Sequence, residues 1–293
     1  MTPRVVNFGS INIDHVYHVP SFVKPGETLS SVSLQTGLGG KGANQSVAIA
    51  CAGVEVEHFG QVSKGDAWAV EKMAALGVGT ANIELVDEAS GHAIIQVDPN
   101  GENAIVLHGG ANQTFELARL AKAIGALQSG DYLLLQNECN LLSEAFDLAR
   151  QQNLKIVFNP APMTDAVGDL AIDKVDTLIV NQVEAEAITG LTELDDIIEH
   201  LTQTAPNTTL IITLGSKGAV LVSQEKKLFA HTPAQEVVDT TAAGDTFVGY
   251  FVAGMVDGLS DRDALDRACQ AAAIAVSRPG AIDSIPLLQE LSD

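Results

Sequence analysis

The sequence predicts an α/β fold of three layers, with a mostly parallel central sheet between helices and a small β-sheet lid beside it. Three observations predict it. From residue 54 onward, apolar runs of strand length alternate with helical patterns, the rhythm of parallel strands joined by crossover helices. Residues 15–36 and 92–108 break that rhythm with hairpin texture and no crossover helix. A length of 293 residues, 46% hydrophobic, supplies ample core for one large domain, and no linker, repeat or low-complexity tract divides the chain.

In chain order, residues 4–9 form a short apolar strand that leads into Gly9-Ser10-Ile11-Asn12-Ile13-Asp14. Asn12 and Asp14 stand two apart, so extended chain points both side chains to one face. They could hold a ligand's hydroxyls; taken alone they read better as an ordinary turn. In 15–36, Val16, His18, Val32 and Leu34 alternate with their neighbours around Pro20, Pro25 and Gly26. Strand texture returns at 92–98 and 103–108 around the turn Pro99-Asn100-Gly101. Four such strands cannot bury their own apolar face. They are expected to cover the active site, a partner subunit, or both.

Gly37-Leu38-Gly39-Gly40-Lys41-Gly42-Ala43-Asn44 then opens a helix through Ala52. Gly37, Gly39 and Gly42 satisfy the G-x-G-x-x-G dinucleotide pattern, but the preceding segment is lid-like and no acid ends a second strand about 20 residues on. No Walker A loop is present. Strands are expected at 56–62, 131–136, 155–159, 177–180 and 208–214, followed by a hairpin over 218–231. Helices are expected at 66–77, 114–126, 141–152, 183–189, 193–204, 243–257 and 260–277. Parallel sheets place ligands at the C-terminal ends of their strands, where Glu138, Asn159, Asn181 and Thr213 stand. The helix at 243 follows Asp239-Thr240-Thr241-Ala242-Ala243-Gly244-Asp245. Small residues there let a phosphate approach the free N–H groups of a first turn. Asp245 is either a first-turn acid that favours the helix or a base beside a bound phosphate.

Composition excludes several classes. The 16 basic and 37 acidic residues give a net charge of −21, which argues against nucleic acid and anionic membranes as partners. Cys51, Cys139 and Cys269 lie far apart without a CxxC, as reduced structural thiols do. No run approaches the ~20 apolar residues of a membrane span, and the N-terminus carries no basic leader pattern. A soluble, cytoplasmic protein is expected. The seven histidines show no metal-ligand spacing, and Trp68 reads as packing.

Together the motifs resemble those of the PfkB (ribokinase-like) carbohydrate kinases, in the family's order from Gly9 to Ser284. The glycine-rich octapeptide is similar to the first family signature and 239–245 to the second. Between and after them stand Asn159-Pro160-Ala161-Pro162, Asn181-Gln182-Val183-Glu184, Thr213 to Gly218, and 271–284. The resemblance implies the family fold and ATP-dependent transfer of a phosphoryl group to the 5-hydroxyl of D-ribose. It makes Asp245 the base and Ala242, Ala243 and Gly244 the anion hole. Asn12, Asp14, Gly40, Lys41, Gly42, Asn44 and Glu138 become the sugar cradle. ATP falls to Asn181, Thr213, Gly215, Ser216, Lys217, Gly218 and Gly244, with Cys269 near the adenine where relatives often carry His or Asn. Magnesium is assigned to Glu184, through water. A monovalent cation, potassium, is assigned to Asp239, Thr241, Ala275, the Arg278 carbonyl, Gly280 and Ser284. The lid is expected to join two subunits through a face carrying some of Val16, His18, Leu34, Ile95, Val97, Ile105 and Leu107. A kinase for deoxyribose, another sugar or a nucleoside stays open. So do a non-catalytic sugar-binding regulator and, on the glycine pattern alone, an oxidoreductase.

Overall fold

The computed structural model describes residues 3–164, 167, 170, 172–224 and 226–291. A nine-stranded sheet forms the middle layer. Its strands are β1 (Val5–Phe8), β4 (Val56–Ser63), β5 (Gly79–Val86), β8 (Tyr132–Gln136), β9 (Lys155–Asn159), β10 (Thr177–Asn181), β11 (Thr209–Thr213), β12 (Ala219–Val222) and β13 (Lys227–Ala230). Their spatial order is β13-β12-β11-β10-β9-β8-β1-β4-β5. All neighbours are parallel except β11–β12 and β12–β13, the hairpin expected at 218–231. The chain runs outward from β1 to β4 and β5 on one side and returns to build from β8 on the other. This switch of direction opens a crevice at the strands' C-terminal ends.

The strands alternate between two cores. Leu134, Val157, Ile179 and Ile211 face α1 (Lys41–Cys51), α2 (Ala67–Ala75), α7 (Ala243–Val256) and α8 (Asp261–Ala275). Leu133, Leu135, Ile156, Phe158 and Val180 face α3 (Leu117–Gly125), α4 (Leu142–Gln151), α5 (Gln182–Thr189) and α6 (Leu194–Thr204). Period-two side-chain direction thus produces the layers the alternation predicts. Helix α7 is buried nearly all round. It lies so close on α1 that a Cβ at Gly249 would fall 2.4 Å from the Ala48 Cβ. That contact fixes where the N-terminus of α7 ends up. Strand β5 was not expected from the sequence. Half-exposed at the sheet edge, it carries no apolar periodicity to read.

A separate four-stranded sheet has the order β3-β2-β6-β7, from β2 (Asn12–His18), β3 (Ser33–Gly39), β6 (Gly91–Val97) and β7 (Asn103–His108). Asn12 and Asp14 therefore belong to the lid's first strand rather than to the tip of a core strand. Gly37 and Gly39 lie in its antiparallel partner, which removes the strand–turn–helix context a dinucleotide fingerprint requires. The register places Asn12, Asp14, Val16 and His18 on one face with Ala93, Ile95 and Val97 and with Ile105 and Leu107. Leu34 pairs with Tyr17 and so lies on the opposite face, correcting its assignment to the apolar set. Parity along a strand decides this.

Candidate active site

The site begins where β1 ends and α1 starts. Gly42 presses against the chain at Gly9-Ser10, where a Cβ on it would fall 2.4 Å from the Ser10 nitrogen. Gly40 has φ 92°, and a Cβ there would meet the Asn12 nitrogen at 2.7 Å. Only glycine fits either position. The approach gathers the expected sugar-side residues. The Ser10 hydroxyl accepts from the Gly42 N–H at 3.1 Å and donates a short bond to Glu138 Oε2. The same carboxylate oxygen accepts from the Lys41 backbone N–H at 2.9 Å, and Asn12 Nδ2 reaches Oε1 at 3.5 Å. Burial, and next the charge of Glu138, push the Asp14 carboxyl up to about 6.

Asp245 sits in the first turn of α7, 7% exposed. Asn44 Nδ2 donates to its Oδ2 at 2.8 Å, and Gln45 Nε2 donates to its Oδ1 at 2.9 Å. Asn44 Oδ1 is buried without a partner, an acceptor that suits an incoming hydroxyl. Just before the helix, Ala242 adopts a left-handed φ of 59°, a strained conformation for a non-glycine residue. Its carbonyl accepts from Thr246 twice, through the N–H at 2.8 Å and the hydroxyl at 2.9 Å. Of the three expected anion-hole groups, Ala243 donates its N–H to the Thr240 carbonyl at 3.3 Å, whereas Gly244 lies in the first turn where N–H groups lack intrahelical partners. A cleft of about 230 Å³ opens there, lined by Lys41, Asn181, Glu184, Thr213, Gly244 and Asp245 among others. Lys41 is raised above the usual lysine range, chiefly by Asp245 and further by Glu138 and Glu184, against the opposing effect of burial.

A second cleft, of about 530 Å³, shares Thr213, Thr240 and Gly244 with the first. Gly215, Ser216 and Gly218 form one wall and Phe247, Cys269 and Val276 another, a mostly apolar slot suited to a flat ring. Burial pushes the Cys269 thiol up to about 11, so it lines this cleft as a neutral, apolar group. Lys217 is exposed and lines neither cleft, because the short 3₁₀ turn Gly215–Lys217 carries it outward.

Asn181 and Glu184 cap α5 reciprocally: Glu184 donates its N–H to Asn181 Oδ1 at 2.8 Å, and the Asn181 N–H donates to Glu184 Oε2 at 2.9 Å. The helix-cap and ligand readings of Glu184 therefore coexist, since it also lines the cleft, with a pKa raised first by burial. Among the described residues no cluster of three His, Cys, Asp or Glu side chains could hold a metal. Near the expected monovalent site, Asp239 Oδ1 accepts from the Thr241 N–H at 2.9 Å and hydroxyl at 2.6 Å, while Oδ2 accepts from the Gly280 N–H at 2.9 Å. Burial alone would raise Asp239, but these bonds prevail and hold it below the usual carboxylate range. The Ala275 carbonyl accepts from the Arg278 N–H at 3.1 Å, and the Ser284 hydroxyl donates to Ala281 at 2.7 Å, so neither stands uncommitted. The Arg278 side chain pairs with Glu290, leaving only its carbonyl for the assigned role.

Sequence reasoning missed two site residues. Asn112 fixes Asn12: its Nδ2 donates to Asn12 Oδ1 at 2.7 Å while its Oδ1 accepts from the Ile11 N–H at 3.0 Å. The glycine pair Gly109-Gly110 just before it was the available signal. Gln45 holds Asp245, and its signal was an amide directly after Asn44 at the start of an apolar helix.

The pfkB family carbohydrate kinase description matches residues 2–288. The ribokinase of Haemophilus influenzae is 36% identical over 99% of this chain and 97% of its own length. A ribokinase structure from Thermotoga maritima superposes with a TM-score of 0.87, at 31% identity, covering 98% of this chain and 97% of that one. Arabidopsis thaliana ribokinase complexed with ribose and ATP superposes with a TM-score of 0.86, at 29% identity, covering 99% and 97%. The chain belongs to the pfkB family of carbohydrate kinases.

Proposed function

We propose that this pfkB-family protein transfers the γ-phosphoryl group of ATP to the 5-hydroxyl of D-ribose, giving ribose 5-phosphate and ADP. The observation that carries the reading is Asp245, held by two amides at the first turn of α7 with Lys41 and the nucleotide clefts beside it. The relatives named ribokinase and the solved complex with ribose and ATP support the choice of sugar and donor. Asn12, Asp14, Asn44 and Glu138 hold the sugar, whose 5-hydroxyl donates its proton to Asp245 as its oxygen bonds to the γ-phosphorus. The bond from that phosphorus to the bridging oxygen breaks, and ADP leaves with the electron pair. Lys41 and the first-turn N–H groups, Gly244 foremost, stabilise charge on the equatorial oxygens, the principal demand of phosphoryl transfer.

Magnesium, when bound, neutralises phosphate charge; Glu184 would hold it through water. A potassium ion beside Asp239 would order the loop that leads into α7. The exposed Ile105 (51%) and Leu107 (53%), on the same lid face as Asn12 and Asp14, support a homodimer in which two lids meet beyond their sugars. No helix among the described residues is long and apolar enough to cross a membrane. Three free, buried cysteines accord with a cytoplasmic setting.

An ADP-release assay over a panel of pentoses, with K⁺ and Na⁺ exchanged at constant ionic strength, tests the reading. The expected result is a kcat/KM for ribose at least about 10-fold above that for deoxyribose, because a site built to bind a hydroxyl rejects its absence. A higher rate in K⁺ is expected too. Preference for the deoxy sugar would transfer the assignment to that substrate, and equal rates in both salts would remove the cation.

A further inference from the structure

Beneath the site lies a continuous run of buried polar side chains that the phosphoryl-transfer scheme does not use. Asn7, Gln45, Ser46 and His58 are 0% exposed and Gln136 is 1% exposed. Asn7 on β1, His58 on β4, Gln136 on β8 and Asn159 on β9 come from four adjacent strands of the sheet. All lie on the face covered by α1 and α7, Asn7 and His58 at one level of the sheet and Gln136 and Asn159 at the C-terminal ends of their strands.

The direction of every bond in the run is forced. At one end the Gly9 carbonyl, which can only accept, faces His58 Nε2 at 3.1 Å, so the imidazole carries its proton there. His58 Nδ1 then accepts from the Ser46 hydroxyl at 2.9 Å. Ser46 in turn accepts from Asn7 Nδ2 at 2.9 Å, a nitrogen identified by its second bond to the Gly42 carbonyl at 2.8 Å. Asn7 Oδ1 accepts from Gln136 Nε2 at 3.0 Å, and the same nitrogen donates to Gln45 Oε1 at 2.7 Å. Gln45 is left with its Nε2 toward Asp245 Oδ1 at 2.9 Å and Asn159 Oδ1 at 3.0 Å. Gln136 Oε1 has no partner, yet turning that amide over would set oxygen against oxygen at both Asn7 and Gln45. An unsatisfied buried acceptor is tolerated so that a donor reaches Asp245.

We infer that Gln45 is a positioning residue for Asp245, its amide oriented by the run from the Gly9 carbonyl through His58, Ser46, Asn7 and Gln136. Gln45 holds Oδ1 as a fixed acceptor, which leaves Oδ2 as the oxygen that receives the hydroxyl proton once Asn44 turns its amide to the sugar. The inference rests on the reading of Asp245 as base. The other titratable groups whose charges bear on this carboxylate and its lysine partner are Lys41 of α1, Glu184 of α5 and Glu138 beyond β8. None of them donates to Oδ1.

Three variants test it: Gln45→Met, which keeps length but removes the donor; Gln45→Glu, which sets a carboxylate against Asp245; and Asp245→Asn as the reference. Circular dichroism and sugar titration calorimetry establish that each is folded and binds. Gln45→Met is expected to lower kcat by about 10- to 100-fold, with sugar KM changed less than about threefold, since a lost hydrogen bond to a charge is of that size. The acid limb of its kcat–pH profile should move to higher pH, and that of Gln45→Glu further still, because each loses stabilisation of the ionised base. A folded, sugar-binding Gln45→Met with normal kcat overturns the inference. So does a loss of kcat with an unmoved pH profile, which would mark packing alone. If Asp245→Asn itself turns over normally, the base assignment fails instead; if it is inactive while both Gln45 variants are normal, only the role of Gln45 falls.

Discussion

The floor of the site and its lid are built on opposite terms. Asn7, Gln45, Ser46, His58 and Gln136 are essentially inaccessible and bonded to one another. The lid instead leaves Val106 64%, Leu107 53% and Ile105 51% exposed, on a sheet too small to cover itself. The difference teaches where each function can reside. Proton transfer and charge stabilisation need groups held in place before the substrate arrives, so they stand on the floor and on the first turn of α7. Sugar capture can draw on binding energy to order its surroundings, and the residues proposed for it, Asn12 and Asp14, stand on the lid's first strand. Lesions in the floor should therefore fall on kcat, and lesions in the lid on KM.

The largest expected effect breaks the floor at its functional end. Asp245→Asn removes the proton acceptor while keeping shape, and general-base assistance is typically worth about 10²- to 10⁴-fold. Turnover in the ADP-release assay should fall at least to the lower bound, while calorimetric sugar affinity changes by less than tenfold. Near-normal turnover would show that the floor does not carry the chemistry. On the lid, Ile105→Glu places a charge in the face shared with Asn12 and Asp14 without touching the floor. It should convert dimers to monomers by light scattering and raise the sugar KM by roughly tenfold, as uncovering a substrate contact worth 1.4 kcal/mol would. A wild-type monomer at assay concentration would refute the two-lid arrangement and leave the chemistry intact.

How much of this contrast could be read from the chain follows from range. The anion-hole turn, the glycine octapeptide and Asn159-Pro160-Ala161-Pro162 are local, and their residue types constrain backbone directly, so they were legible. So was the layered alternation, because side-chain period is local too. The floor was not. A lone His58 in β4 or Gln136 in β8 gains meaning only once β1 is known to lie between β4 and β8, a long-range ordering absent from any window of sequence. Strand parity puts Leu34 on the other lid face, and a turn carries Lys217 outward, neither of which its residue type announces. Asp245 was found by its motif, whereas the amide that holds its second oxygen was hidden by distance along the chain.

The smallest effect sharpens the comparison through pH. His58 in the floor is held down to about 4 from 6.5, first by burial and against its bond to the Gly9 carbonyl. Its contribution to stability is complete above pH about 6.5 and is lost as the pH falls toward 4, because the unfolded chain takes up the proton first. Asp14 on the lid strand is raised from 3.8 to about 6. Ionising it costs the folded state, so its contribution runs the other way, present at low pH and lost as pH rises through the same window. Each shift corresponds to roughly 3 kcal/mol, and in the wild type the two nearly cancel between pH 4 and 6.5. Asp14→Asn removes only the lid's share. Urea unfolding at pH 7 and pH 4.5 should therefore show the variant losing about 2 kcal/mol more than wild type on acidification, the remaining carboxylates contributing equally to both. An identical pH response in the two proteins would mean that Asp14 titrates normally in the empty site, so that the lid strand gives its carboxylate no more shelter than solvent does.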